Sequence, residues 1–125
     1  NHVKRIKQLV KDRFYDGIIF HRVIKGFMAQ TGDPDGVGTG GSGKNLKAEF
    51  SDYEYKYGTV GMARSMSPDS GDSQFFICFD GCSHLTGQYT VWGQVVSGMD
   101  AVEKLEIGEP PSNPDKMVSV RLGKK

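Results

Sequence analysis

The 125-residue sequence has no apolar run near the roughly 20 residues that a bilayer-spanning helix requires, so no membrane partner is expected. It also has little excess charge of either sign. Sixteen Lys and Arg stand against 15 Asp and Glu, which removes the basic footprint of a nucleic-acid-binding domain. Cysteine is scarce, with 2 residues, Cys78 and Cys82. With His84 close behind they suggest a metal site, but a tetrahedral site needs a fourth ligand and none is evident. Two reduced thiols of a cytoplasmic protein are the expectation, with no metal and no cofactor. An initiator Met is missing too, since the chain opens on Asn1, so the lack of a visible signal peptide carries little weight. Glycine, by contrast, is abundant. Seventeen glycines and 5 prolines in short clusters suggest many turns between short strands, as in a barrel or sandwich. The length suits a single domain over residues 1–125.

Val3, Ile6, Leu9, Val10 and Phe14 recur at helical spacing, with Lys4, Arg5, Lys7, Lys11 and Asp12 opposite. The pattern predicts an amphipathic helix over one face or end of the core, its basic side solvated. Asn1 suits its N-cap and Asp16-Gly17 its terminating turn. Two β-branched and aromatic runs follow, Ile18 to Ile24 and Phe27 to Thr31, joined through Lys25-Gly26 as a hairpin. Arg22 sits in the middle of the first run, where a charge is expensive unless it is paired. Alternation puts Phe20, Arg22 and Ile24 on one face and Ile19, His21 and Val23 on the other. A three-residue turn sets Arg22 opposite Gln30, with Met28 on the diagonal. That register gives the guanidinium an uncharged partner that orients it without neutralising it. The structural alternative is an edge-strand arginine reaching out to water. His21, facing away, is expected to be a hydrogen-bonded structural histidine.

The glycine-rich loop from Gly32 to Gly43 imitates two nucleotide motifs. Gly36-Val37-Gly38-Thr39-Gly40-Gly41 satisfies the dinucleotide pattern, and Gly38 to Lys44 nearly satisfies a P-loop. Both chemistries need a helix N-terminus leaving the loop, and Asn45 to Tyr57 has no sustained helical stripe. Asp33-Pro34-Asp35 adds negative charge where phosphate would sit, and Asn45 replaces the Mg²⁺-binding Ser or Thr. An ordered Ω-type loop is the better reading. Farther on, Tyr57 to Ala63 reads as a strand whose small residues let a backbone or ligand approach closely. Gln74 to Phe79 and Val91 to Val96 read as strands, Met99 to Leu105 as a short helix and Met117 to Leu122 as a final strand. On the second of these strands, Phe75, Ile77 and Phe79 face one way. Gln74, Phe76 and Cys78, on the other face, suit the wall of a groove.

Several of these stretches carry a resemblance. Phe20-His21-Arg22-Val23-Ile24 with Gly26-Phe27-Met28 and Gln30 resembles the signature of the cyclophilin-type peptidyl-prolyl cis-trans isomerases. Two further blocks agree: Gly61-Met62-Ala63 with Ser73-Gln74-Phe75-Phe76-Ile77, and Leu85, Gly87 and Tyr89 leading to Val91-Trp92-Gly93, Val95 and Gly98-Met99. The match runs in order from about Asn1 to Val120. It implies a mainly β chain, a closed antiparallel β-barrel capped by two helices, with the family's first two strands absent from this sequence. It also implies an isomerase of Xaa-Pro bonds that assists protein folding, working without a cofactor, as a monomer, on proline-containing peptides and unfolded proteins.

By the same resemblance Arg22 and Gln30 are the catalytic residues. Phe27, Met28, Phe76 and Leu85 form the proline pocket, Ala63, Arg64 and Gln74 line a neighbouring groove, and Tyr89 closes one side. His84 stands where many eukaryotic members have Trp, Tyr89 where they have His and Arg64 where they have Asn. These departures resemble the prokaryotic-type subgroup and imply that His84 weakens any binding of cyclosporin-type ligands. The chemistry agrees with the residues. A fixed positive charge amid aromatic, amide and thioether groups suits a reaction that transfers no proton or group, and rotation about an amide is one. A proline-peptide binding module or holdase without turnover is the alternative.

Overall fold

A computed structural model describes residues 2–38 and 40–123. Asn1, expected as an N-cap, and Thr39 of the glycine loop lie outside the described residues. The chain runs α1 (His2–Lys11), β1 (Arg22–Ile24), β2 (Met28–Thr31), β3 (Thr59–Met62), β4 (Phe75–Cys78), a 3-10 helix (Ser83–Leu85), β5 (Val91–Gln94) and α2 (Met99–Val102). The strands form one antiparallel sheet in the order β1-β2-β4-β3-β5. The mainly β class holds. Among the described residues no ladder joins β5 back to β1.

Helix α1 buries His2, Ile6, Leu9 and Val10. Its apolar side chains pack with Tyr15, Ile18 and Met62, each burial stabilising by about 1.5–3 kcal/mol. Two details depart from the periodicity. Val3 is exposed, and buried His2 takes its place, its Nδ1 2.6 Å from the Glu49 carboxylate, which that bond holds down to about 2. Arg5 leaves the solvated face to hydrogen-bond Ser42 of the glycine loop. The helix also stops at Lys11, ahead of the expected Asp16-Gly17 turn. Arg13 takes a φ of 59°, and Phe14 N–H reaches back to Leu9 O at 3.0 Å, closing the helix with a left-handed C-terminal turn.

The other strands are shorter than their sequence patterns. Val95 still pairs through its N–H with Gly58 O, but Val96 is exposed. The expected strand from Met117 to Leu122 does not form as a ladder. The chain touches the 16–19 segment through Lys116, paired with Ile19, and through Met117, then lies exposed at Val118. Helix α2 ends at Val102, short of the expected Leu105, and Met99, Val102 and, past its end, Leu105 pack against Val23, Ala29 and Phe79.

The two cysteines correct an expectation. Cys78 and Cys82 are joined in a disulfide, with Cα atoms 6.0 Å apart. Beyond β4 the chain folds back, Phe79 and Gly81 donating to the carbonyls of Phe27 and Gly26, and this returns Cys82 to Cys78. The cysteines therefore no longer argue for a cytoplasmic setting. No helix among the described residues is long and apolar enough to cross a membrane.

Candidate active site

The hairpin adopts the expected register, with Arg22 opposite Gln30 and Ile24 opposite Met28. It is positioned from the other side by β4, where Gln30 pairs with Phe76 and Met28 with Cys78. One face of these strands thereby gathers Met28, Phe76 and Cys78 into a cluster with Leu85 of the 3-10 helix. A cavity of about 120 Å³ opens above it. Phe27, Met28, Phe76 and Leu85 make its apolar lining, while Arg22 and Gln30 supply one polar side and Ala63, Arg64 and Tyr89 complete the rim.

Two of the expected residues stand outside that cavity. Gln74 lines a larger neighbouring cavity of about 480 Å³, shared with Gln30, Ala63 and Arg64 and roofed by the glycine loop. His84 is exposed and stacks on Phe27, ring centroids 5.5 Å apart, so it backs the pocket from outside.

The polar side is a chain of hydrogen bonds. Arg22 Nη1 donates to Gln30 Oε1 at 3.5 Å, Gln30 Nε2 donates to Gln74 Oε1 at 2.9 Å, and Gln74 Nε2 donates to Gly40 O at 2.9 Å. Each amide is thus oriented by the next, and the carbonyl of Gln30 is turned to the arginine. Arg64 lies over the Tyr89 ring at 4.4 Å, its guanidinium anchored on Gln88 O.

The aromatic wall depends on a glycine. Tyr55 stacks on Phe76 at 5.7 Å and donates its hydroxyl to Tyr89 O, while Phe76 meets Tyr89 edge-on at 5.9 Å. A Cβ on Gly61 would lie 2.3 Å from Tyr55 Oη and 2.7 Å from Phe76 Cζ. Side-chain rings are what approach this small strand residue. Burial raises the Tyr55 phenol above its ordinary value, so it remains a donor.

Sequence reasoning missed one group at the site. Arg22 Nε donates to Glu109 Oε1 at 2.6 Å, so the guanidinium has a charged partner besides the uncharged Gln30. Glu109 lies 87 residues away, next to Pro110 in a polar loop, and no local pattern marks it. His21 is also corrected. It is buried, but neither ring nitrogen has a hydrogen-bond partner among the described residues. Burial, with Arg22 nearby, holds its pKa below the ordinary histidine value against the opposing pull of Asp33.

The glycine loop is occupied by its own anion. Fully buried Asp33 accepts from the backbone N–H groups of Asp35 (2.8 Å), Val37 (3.0 Å) and Gly38 (2.5 Å). Burial pushes its carboxyl up, but these N–H groups and that of Gly40 together hold it below the ordinary carboxylate range. These backbone donors are turned onto the chain's own carboxylate, in keeping with an Ω-type loop.

The chain is similar to known proteins along nearly its whole length. The family model for cyclophilin type peptidyl-prolyl cis-trans isomerase/CLD matches residues 1–122. A relative from Brucella abortus, named a probable peptidyl-prolyl cis-trans isomerase, is 51% identical over 97% of this chain and 70% of its own length. Peptidyl-prolyl cis-trans isomerase B of Bacillus subtilis is 42% identical over 96% of this chain and 80% of its own. A Cryptosporidium parvum cyclophilin, crystallised in the presence of the dipeptide Ala-Pro, superposes with a TM-score of 0.90 at 27% identity. That match covers 99% of this chain and 85% of the other. From Arg22 on β1 to Tyr89 beyond the 3-10 helix, the residues around the small apolar cavity fall within the matched span, and the chain belongs to the cyclophilin-type peptidyl-prolyl cis-trans isomerase family.

Proposed function

We propose that this chain accelerates rotation about Xaa-Pro bonds in peptides and unfolded chains, with Arg22 as the group that meets the transition state. The observation that carries the reading is a guanidinium on the wall of an apolar cavity of about 120 Å³. A cavity of about 150 Å³ holds a benzene ring, so this one is of the size for a proline ring. Phe27, Met28, Phe76 and Leu85 grip the ring while the preceding carbonyl swings. The Cryptosporidium relative was crystallised in the presence of the dipeptide Ala-Pro, which is consistent with such an occupant.

A prolyl amide crosses a barrier of about 18–20 kcal/mol because twisting the C–N bond breaks its resonance. At the twist the nitrogen recovers its lone pair and can accept a hydrogen bond, which the planar ground state cannot do. A donor aimed there binds the transition state selectively, which is the condition for catalysis. Arginine remains a donor at every physiological pH. A charge-assisted hydrogen bond contributes about 1.5–3 kcal/mol, or one to two powers of ten in rate. The rest comes from desolvation in the pocket and from Gln30, which orients Arg22 and contacts substrate backbone. Ala63, Arg64 and Gln74 hold flanking residues, and Tyr89 and His84 bound the pocket.

An isomerisation assay on an Ala-Pro peptide, with peptide affinity measured in parallel, tests this. Arg22→Ala is expected to lose about 10- to 100-fold in rate with affinity nearly unchanged. Equal loss of rate and affinity, or no loss of either, would favour a proline-peptide binding module or holdase.

A further inference from the structure

Glu109 is brought to Arg22 by the backbone. Val23 and Gly108 exchange both hydrogen bonds of an antiparallel bridge, at 2.9 and 3.0 Å. In such a bridge the residue before one partner faces the residue after the other, so Arg22 and Glu109 stand directly across. The turn behind Glu109 is tight. A Cβ on Gly108, whose φ is 154°, would come within 2.6 Å of Pro111 Cα, and the two prolines that follow Glu109 each fix their own φ. The carboxylate is therefore delivered by a braced segment.

An ion pair this exposed, with side chains 44% and 54% accessible, adds little to stability. Its consequence is geometric. The guanidinium is a rigid planar fork, and here it is held through two of its nitrogens. Glu109 takes Nε at 2.6 Å and Gln30 takes Nη1 at 3.5 Å, the limit of a useful hydrogen bond. Glu109 is thus the stronger anchor, and Nη2 has no hydrogen-bond partner among the described residues. Without the carboxylate, the long contact to Gln30 alone would have to set the plane of the donor.

We propose that Glu109 is the positioning residue for Arg22: it fixes the guanidinium plane so that the remaining N–H groups point into the proline cavity. The proposal rests on the reading of Arg22 as the donor to the prolyl nitrogen. It predicts that Glu109 acts on turnover through Arg22, with little effect on ground-state binding. Glu109→Gln keeps an oxygen that can accept from Nε, whereas Glu109→Ala removes it.

The test measures kcat and KM on an Ala-Pro peptide for Glu109→Ala, Glu109→Gln, Arg22→Ala and the double variant Arg22→Ala/Glu109→Ala. Melting temperatures accompany them to show that each variant folds. We expect Glu109→Ala to lower kcat about 3- to 10-fold with KM within about twofold, since misplacing a catalytic group costs rate before affinity. Glu109→Gln should recover most of the loss, and Glu109→Ala should cost nothing further once Arg22 is gone. An unchanged or raised kcat in Glu109→Ala overturns the proposal, as does an equal further loss in the Arg22→Ala background. If Arg22→Ala alone is as fast as the parent, the Arg22 reading itself fails, which separates the two outcomes.

Discussion

Arg22 has to be held firmly and still keep a donor free for the substrate. A partner in register was legible from strand alternation and turn length, because both are local. Glu109 was not, because its approach depends on a bridge between segments far apart in sequence. His21 shows the complementary limit. Alternation turned it away from the Arg22 face, but that neither ring nitrogen finds a partner among the described residues could only be seen in three dimensions. Its burial has a measurable consequence. The folded state holds His21 below its ordinary pKa of 6.5, so below about pH 6.5 the unfolded chain binds a proton that the folded one resists. Its contribution to stability is complete above pH 6.5 and is lost as the pH falls through the folded value. Thermal melts of the parent between pH 7 and 5 should therefore drop, and His21→Leu should flatten that part of the slope. Identical slopes would assign the acid sensitivity to other groups. Glu49, held down to about 2 chiefly by its hydrogen bond to His2, acts in a lower window, losing its contribution as pH falls from about 4.5.

Elements that rest on a strong local pattern came out as their patterns read: the hairpin, the Ile6, Leu9 and Val10 stripe of helix α1 and the core of β4. Their ends did not. Helix α1 stops early because Arg13 enters the left-handed region and the Phe14 N–H finds Leu9 O, an arrangement without the glycine that usually marks it. The disulfide was missed because closing four residues depends on how the chain turns after β4. Strand β3 offers the cleanest test at this scale. Gly61 does not need its conformational freedom, since its φ is not among the positive ones. Only space is at stake, between Tyr55 Oη and Phe76 Cζ. Gly61→Ala should cost about 1–3 kcal/mol by overpacking and push the Phe76 ring toward the proline cavity. A lowered melting temperature together with weaker Ala-Pro peptide binding is the expected outcome. An unchanged pair of values would mean that both rings move aside freely.

For the whole molecule, the pocket is assembled from parts that no single segment contains. The hairpin brings Arg22, Phe27, Met28 and Gln30, the β3–β4 pair brings Ala63, Arg64 and Phe76, and the 3-10 helix with its following loop brings Leu85 and Tyr89. Nearly all of that convergence was legible through family resemblance, whose blocks are the segments that meet. Composition and periodicity alone reached a mainly β class and a suspicious arginine. Beyond the hairpin they could not say which strands are neighbours, and the order β1-β2-β4-β3-β5 is what sets β4 beside the hairpin.

The measurement that bears most directly on the account is a crystal structure of this protein with an Xaa-Pro peptide bound. The proline ring should sit between Phe27, Met28, Phe76 and Leu85, with the imide nitrogen within about 4 Å of an Arg22 guanidinium nitrogen, close enough to tighten into a hydrogen bond at the twist. A peptide bound with its imide nitrogen turned away from Arg22, or with its proline outside this cavity, would contradict it.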